Sequence, residues 1–272
     1  MKGFYIGYIN QLKGKYRKFT LIGAASFLIL LFISCFSFGF FQEHFTNGVF
    51  EINRETTFTG KLYMQPFPFI RVEIEKGYFK DIMLVKQGKF GISEDDMDIK
   101  NLNNSAVDIT GHLIYFNGQN VLEVTDIQSS DKVINIKPPT FINQGVLEVT
   151  GEIVDPKCYF GVMKPGFGKI HRSCAIRCLS GNIPAVLVHR NENGFESYFV
   201  ITYPNLKIDN TPILKLIGKT VRLKGKVRKG RNWHLLQYSE AMHPLIIKEQ
   251  AFSYYQENSS PPKEQHLCIT AK

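Results

Sequence analysis

The chain has 272 residues, 44% of them hydrophobic and 13% aromatic, with a formal net charge of +9 and five cysteines. That length holds one large domain or two small ones and can bury a real core, which excludes disorder throughout. Five cysteines are too sparse for a disulfide scaffold, and a basic balance points to nucleic acid or an anionic surface only where the charge shares one folded face.

The charge is unevenly placed. Between Lys18 and Glu43 there is no charged side chain, and Phe19–Gln42 reads FTLIGAASFLILLFISCFSFGFFQ. As a helix this stretch is roughly 36 Å long, enough for a hydrocarbon core of about 30 Å. Residues 1–18 carry Lys2, Lys13, Lys15, Arg17 and Lys18 and no acid. Short basic flanks stay in the cytoplasm, so the expected topology in a bacterial cell is an inner-membrane anchor with its N-terminus in and residues 43–272 periplasmic or otherwise extracytoplasmic. With those five cations set aside, 28 Lys and Arg face 24 Asp and Glu, a net of +4. A cleaved signal peptide would have a shorter apolar region and a small-residue cleavage site, whereas this one ends in Phe38, Phe40 and Phe41. A lipid anchor on Cys35 would call for a polar tether, whereas FSFGFF follows it. Gly23, Ala24 and Ala25 would permit close packing against a helix of a membrane complex partner.

After a polar linker, 43–55, short alternating segments recur. They are Phe58–Met64, Phe69–Glu75, Ile82–Val85, Val107–Phe116, Asn120–Thr125, Val146–Val154, Ala185–His189, Ser197–Thr202, Thr220–Arg228 and Trp233–Tyr238. Their period of two, with Gly or Asn at the breaks, is an all-β pattern. Helical periodicity is confined to the anchor, to His171–Leu179 and to Ile213–Ile217. A weak repeat is present: Phe58-Thr-Gly-Lys-Leu, Ile109-Thr-Gly-His-Leu, Val149-Thr-Gly-Glu-Ile and Leu223-Lys-Gly-Lys-Val. A glycine inside a strand permits a sharp bend, the way a five-stranded barrel turns its corner. The expected architecture is therefore mainly β, with two small OB-like barrels over 56–136 and 145–248. They would be joined through 137–144, where Lys137-Pro138-Pro139-Thr140 makes a stiff seam, and followed by a polar tail, 249–272. One β-sandwich is the competing architecture.

One constellation carries chemistry. Gly151–Pro184 reads GEIVDPKCYFGVMKPGFGKIHRSCAIRCLSGNIP, with the spacing C-x12-H-x2-C-x3-C. His171, Cys174 and Cys178 share one face of a helix, and Pro165, Gly166 and Gly168 would let the preceding loop return Cys158 to that face. Three chemistries stay open. Cys158, His171, Cys174 and Cys178 would suit zinc, or copper(I) with Met163 nearby. Lys157, Lys169, His171, Arg172 and Arg177 would favour a reactive thiolate. Or Cys158 pairs with Cys174 or Cys178 in a disulfide, stapling loop to barrel under oxidising conditions and leaving a spare thiol for Cys268 to take. Asp155 and His171 lie in the same stretch, but no serine stands out as a nucleophile, and no P-loop, H-E-x-x-H, G-x-S-x-G or C-x-x-C-H occurs. No catalytic residue is assigned.

The same stretch resembles the signature of an uncharacterised family of bacterial single-pass membrane-anchored proteins, G-E-I-V-D-x-K-C-x-x-G-V-M-x-P-G-x-G-K-x-H-R-x-C-A-x-x-C-x-x-G-x-I-P. The likeness is dense over Gly151–Pro184 and loose elsewhere, in FTGKLYMQPFPFIRV and GHLIYFNGQNVLEV. It implies an anchored β protein with Cys158, His171, Cys174 and Cys178 in the signature, and it implies no activity. Two glycines usually precede Ile-Pro-Pro in that family, where this chain has Gly181-Asn182-Ile183-Pro184-Ala185.

Lys219, Arg222, Lys224, Lys226, Arg228, Lys229 and Arg231 are followed by Trp233 and His234. A basic strand with an aromatic resembles a single-strand binding face, but an extracytoplasmic domain meets no nucleic acid. Alternating Arg222, Lys224, Lys226 and Arg228 read as the wet face of a strand, a surface for anionic lipid or an acidic partner. The expected function is a membrane-anchored binding or accessory component of an envelope redox system; the alternative is metal handling or thiol exchange through Cys174 and Cys178.

Overall fold

The computed structural model describes residues 14–41, 48–93, 96, 99, 101–132, 134–204, 208–239 and 244–248. The basic start of the N-terminus, the first part of the linker and the whole tail read from the sequence, Cys268 included, lie outside the described residues.

Helix α1, Gly14–Phe41, has no buried side chain and no acid. From Phe19 on it is apolar all round instead of along one stripe, and it is long and apolar enough to cross a membrane. Phe36 and Phe40, one turn apart, stack with ring centroids 6.2 Å apart.

The remainder is two five-stranded barrels. The first comprises β1 (Val49–Tyr63), β2 (Phe69–Glu75), β3 (Tyr78–Lys86), β4 (Ala106–Phe116) and β5 (Gln119–Ser129), closed in the order β1-β2-β3-β5-β4. The second comprises β6 (Ile142–Val154), β7 (Val186–Arg190), β8 (Glu196–Thr202), β9 (Thr220–Lys229) and β10 (His234–Tyr238), and β11 (Leu245–Lys248) extends it beyond β9. Corresponding pairs close both: β1 on β4 and β6 on β9 antiparallel, β3 on β5 and β8 on β10 parallel. This is the OB-like arrangement, made twice, and not one sandwich. Strand β1 begins at Val49, inside the stretch read as a linker to residue 55, and β6 begins at Ile142, inside the one read to 144. Helix α2, Gly168–Ser180, and a 3-10 turn, Thr211–Leu216, are the helical pieces of the second barrel.

The repeat read from the sequence has a physical cause. Gly60, Gly111, Gly151 and Gly225 fall on the first and fourth strands of each barrel. A Cβ at any of them would stand 2.2–2.6 Å from a carbonyl oxygen of the adjoining strand, so only glycine lets the chain bend that closely.

Each barrel has its own interior. Leu62, Ile70, Ile82, Leu84, Ile109 and Leu122 fill the first, and Ile153, Leu187, Phe199, Val221, Leu223 and Leu236 the second. A third cluster joins them. Phe69, Met83, Val85 and Val121, which alternate with the first barrel's interior residues, pack with Val154, Phe160, Val186 and Trp233 of the second. The β9–β10 turn carries much of this junction. Trp233 donates to the Asp81 carbonyl at 3.1 Å, Gln119 donates to the Asn232 carbonyl at 3.0 Å, and the Arg231 guanidinium lies 4.5 Å from the Tyr78 ring centre. Arg71 forms a buried ion pair with Asp81, its Nη1 donating to both carboxylate oxygens at 2.7 and 2.9 Å.

Candidate functional site

The Cys/His loop leaves the second barrel at the end of β6 and returns at β7, passing over the junction. Asp155 caps it: one carboxylate oxygen accepts from the Lys157 N–H at 3.0 Å, and its carbonyl accepts from the Tyr159 N–H at 2.9 Å. Cys158–Val162 then makes a single π-type turn. Glu152, buried on β6, accepts from the Gly168 N–H at 2.6 Å and fixes the start of α2. From there His171, Cys174 and Cys178 point back toward Cys158.

The donor atoms of Cys158, His171 and Cys174 lie within 4.8 Å of one another, and so do those of Asp155, Cys158 and Cys178. Cys158 belongs to both groups. Cys158, His171 and Cys178 are buried and Cys174 is half-buried, and the three cysteines line a cleft of about 430 Å³ with Phe50, His112 and Met163. All four described cysteines, Cys35 among them, are free thiols.

The electrostatics of this cluster suit a cation. Hydrogen bonding to Cys178 and burial, with the Asp155 charge alongside, push the Cys158 thiol far up. Burial pulls His171 down, so it is a neutral imidazole at neutral pH, the form that ligates metal. His171 Nε2 and Asp155 Oδ2 are buried and have no hydrogen-bond partner. Orphaned polar atoms of this kind are costly, and two converging on a thiol cluster fit a cation-binding site better than a finished core.

The cations expected beside the thiols are elsewhere. Lys169, Arg172 and Arg177 are exposed. Lys157 is buried and spends its ammonium on Glu123 of β5 at 2.9 Å and on the Gly88 and Lys86 carbonyls at 2.7 and 3.3 Å. The charge that faces the sulfurs is Lys89, from the turn after β3: its Nζ lies 2.9 Å from Cys174 Sγ and 3.8 Å from Cys178 Sγ. The hydrogen bond to Cys174 holds Lys89 above its ordinary range. Backbone contact sets that position. The Gly91 N–H donates to the Gly181 carbonyl at 2.7 Å, and a Cβ on Gly181 would stand 1.9 Å from the Lys89 carbonyl oxygen. The next residue, Asn182, has φ of 64°. Asparagine tolerates this left-handed conformation better than other side chains, so Gly181-Asn182 makes the turn that two glycines would make.

Arg222, Lys224, Lys226 and Arg228 alternate along β9 with buried Val221, Leu223, Gly225 and Val227, and so share the outward face. Trp233 does not join them, since it is 1% exposed in the inter-barrel cluster.

Compared with protein-family models, curated proteins and solved structures, the chain matches none.

Glu152 offers a measurement independent of the thiols. Burial raises its carboxyl from 4.5 to about 8. The folded chain therefore holds a proton that the unfolded chain has lost, and stability falls as pH rises from about 4.5 to 8. Glu152→Gln keeps the acceptor for Gly168 and removes the ionisation. Its unfolding free energy should stay nearly level over that window, overtaking the parent's by a few kcal/mol at the alkaline end, at about 1.4 kcal/mol for each pH unit crossed. Parallel pH profiles of parent and variant in thermal melts would contradict the assignment.

Proposed function

We propose that this is a membrane-tethered, extracytoplasmic protein that binds a d10 metal ion, zinc or copper(I), in the cleft between its two barrels and serves an envelope redox system as an accessory or metal-handling component. The observation that carries the reading is the convergence of Cys158, His171 and Cys174 donors within 4.8 Å, beside two buried polar atoms without partners. Thiolates with one neutral imidazole suit these ions, and Cys178 and Asp155 supply further donors. The cluster opens on a cleft, which suits an exchangeable ion better than a closed structural one, and half-exposed Met163 at that cleft favours copper(I). The apolar run of α1 from Phe19 onward and the basic residues at and before the start of that helix support the tether with the barrels outside.

The test is metal analysis of the purified full-length protein after anaerobic loading with zinc or copper(I). About one ion per chain is expected, bound clearly more weakly in His171→Ala, which breaks the Cys158–His171–Cys174 donor group and leaves only the one at Asp155. Absence of bound metal in the parent, or equal binding in the variant, would overturn the metal reading. A reporter fused after Lys272 that works only in the cytoplasm would overturn the topology.

A second reading, thiol exchange, is favoured by the position of Cys174, which lines the cleft with Lys89 Nζ 2.9 Å from its sulfur.

A further inference from the structure

Lys89 and Cys174 belong to different barrels, 85 positions apart in sequence, yet Nζ and Sγ are in contact at 2.9 Å. This contact is built from both sides. Lys157 grips the Lys86 and Gly88 carbonyls from the second barrel, and Gly91 is hydrogen-bonded to Gly181 at the end of α2. The turn bearing Lys89 is thereby held against the helix bearing Cys174. Both side chains are half-buried and line the open cleft, whereas Cys158 and Cys178 lie deeper. Two heavy atoms this close need little movement to be joined through one bridging atom.

We propose that Lys89 and Cys174 form an oxidative Nζ–O–Sγ bridge, a covalent link between the two barrels made with dioxygen as the oxidant. The Cys174 thiol and the Lys89 amine together hold three hydrogens. One stays on nitrogen, two leave in one water molecule, and the second oxygen atom of dioxygen becomes the bridge. Sulfur and nitrogen each give up two electrons, which accounts for the four that dioxygen accepts. The product removes a cation and a sulfur donor from the cleft at once, so the bridged form has a weaker claim on a soft metal. The bridge itself rests on the Lys89–Cys174 contact and not on the metal reading.

The experiment is intact-mass and peptide mapping of the full-length protein, prepared anaerobically and then exposed to air without metal. The expected result is a gain of about 14 Da, one oxygen less two hydrogens, with the peptides containing Lys89 and Cys174 recovered as one linked species. The gain should vanish in Lys89→Met and in Cys174→Ser and persist in Cys178→Ser. A gain of one or more whole oxygens on Cys174 with Lys89 unlinked, no gain at all, or a gain that survives in Lys89→Met would overturn the proposal. Metal binding is read separately on the anaerobic protein, so failure of the metal reading leaves the mass result standing.

Discussion

Cys158→Ser should cost more metal affinity than the loss of either other cysteine, a drop of at least about 100-fold against the parent. The reason is geometric. Cys174 belongs to the group at His171 and Cys178 to the group at Asp155, but Cys158 belongs to both. Removing Cys174 leaves Asp155, Cys158 and Cys178 in place, and removing Cys178 leaves Cys158, His171 and Cys174. Removing Cys158 leaves neither. Serine is close to isosteric, so the change in packing is small although the position is 4% exposed. Competition titration with a chromophoric chelator ranks the three variants. Cys174→Ser or Cys178→Ser weakening binding as much as Cys158→Ser would place the centre of the site elsewhere.

Why one cysteine could hold that role is only partly visible in the sequence. The spacing of His171, Cys174 and Cys178 fixes a common helix face, and the Pro/Gly-rich loop allows Cys158 to return to it. Lys89 could not be found that way. Nothing around Gln87-Gly88-Lys89 marks it as more than a hairpin turn, and its contact with Cys174 exists only because two barrels dock. The buried state of Lys157 was equally hidden, since its partner Glu123 sits on another barrel's strand. Local pattern placed Lys157 near the thiols by sequence distance, but tertiary pairing turned its charge away.

For the fold the balance is different. Period-two alternation and strand glycines are properties of a single strand, so they survive without knowledge of the partner strand. The four apolar–polar–Gly repeats mark the first and fourth strands of both barrels because each barrel must bend there. The docking had one sequence trace. Ile82-Met83-Leu84-Val85, grouped by sequence with the alternating segments, is in fact apolar at every position, where a barrel strand facing water would alternate. Ile82 and Leu84 fill the barrel, and Met83 and Val85 face the second one. Trp233, by contrast, follows a run of outward-facing cations and looks like part of their surface, whereas it is buried in the inter-barrel cluster.

Trp233→Ala should be the most damaging single change to stability, at about 3–5 kcal/mol, the usual cost of emptying a buried tryptophan site. The side chain is 1% exposed, with its ring centre 6.1 Å from that of Phe67 on one barrel and 5.7 Å from that of Phe160 beside Cys158. Its indole N–H satisfies the Asp81 carbonyl, and neighbouring Asn232 accepts from the Asp81 N–H at 3.2 Å. Removing the ring therefore empties the shared cluster and strands a buried acceptor, while the separate interiors of the two barrels stay filled. Unfolding of the parent should be one cooperative transition, because neither barrel can open without exposing the common cluster. In Trp233→Ala the two barrels should part company, giving a lower first transition followed by a second. Trp233→Phe separates the contributions: it keeps most of the apolar contact, forfeits the hydrogen bond, and should cost about 1–2 kcal/mol with a single transition retained. A melt of Trp233→Ala that stays cooperative within a degree or two of the parent would mean that the barrels are not held together through this residue.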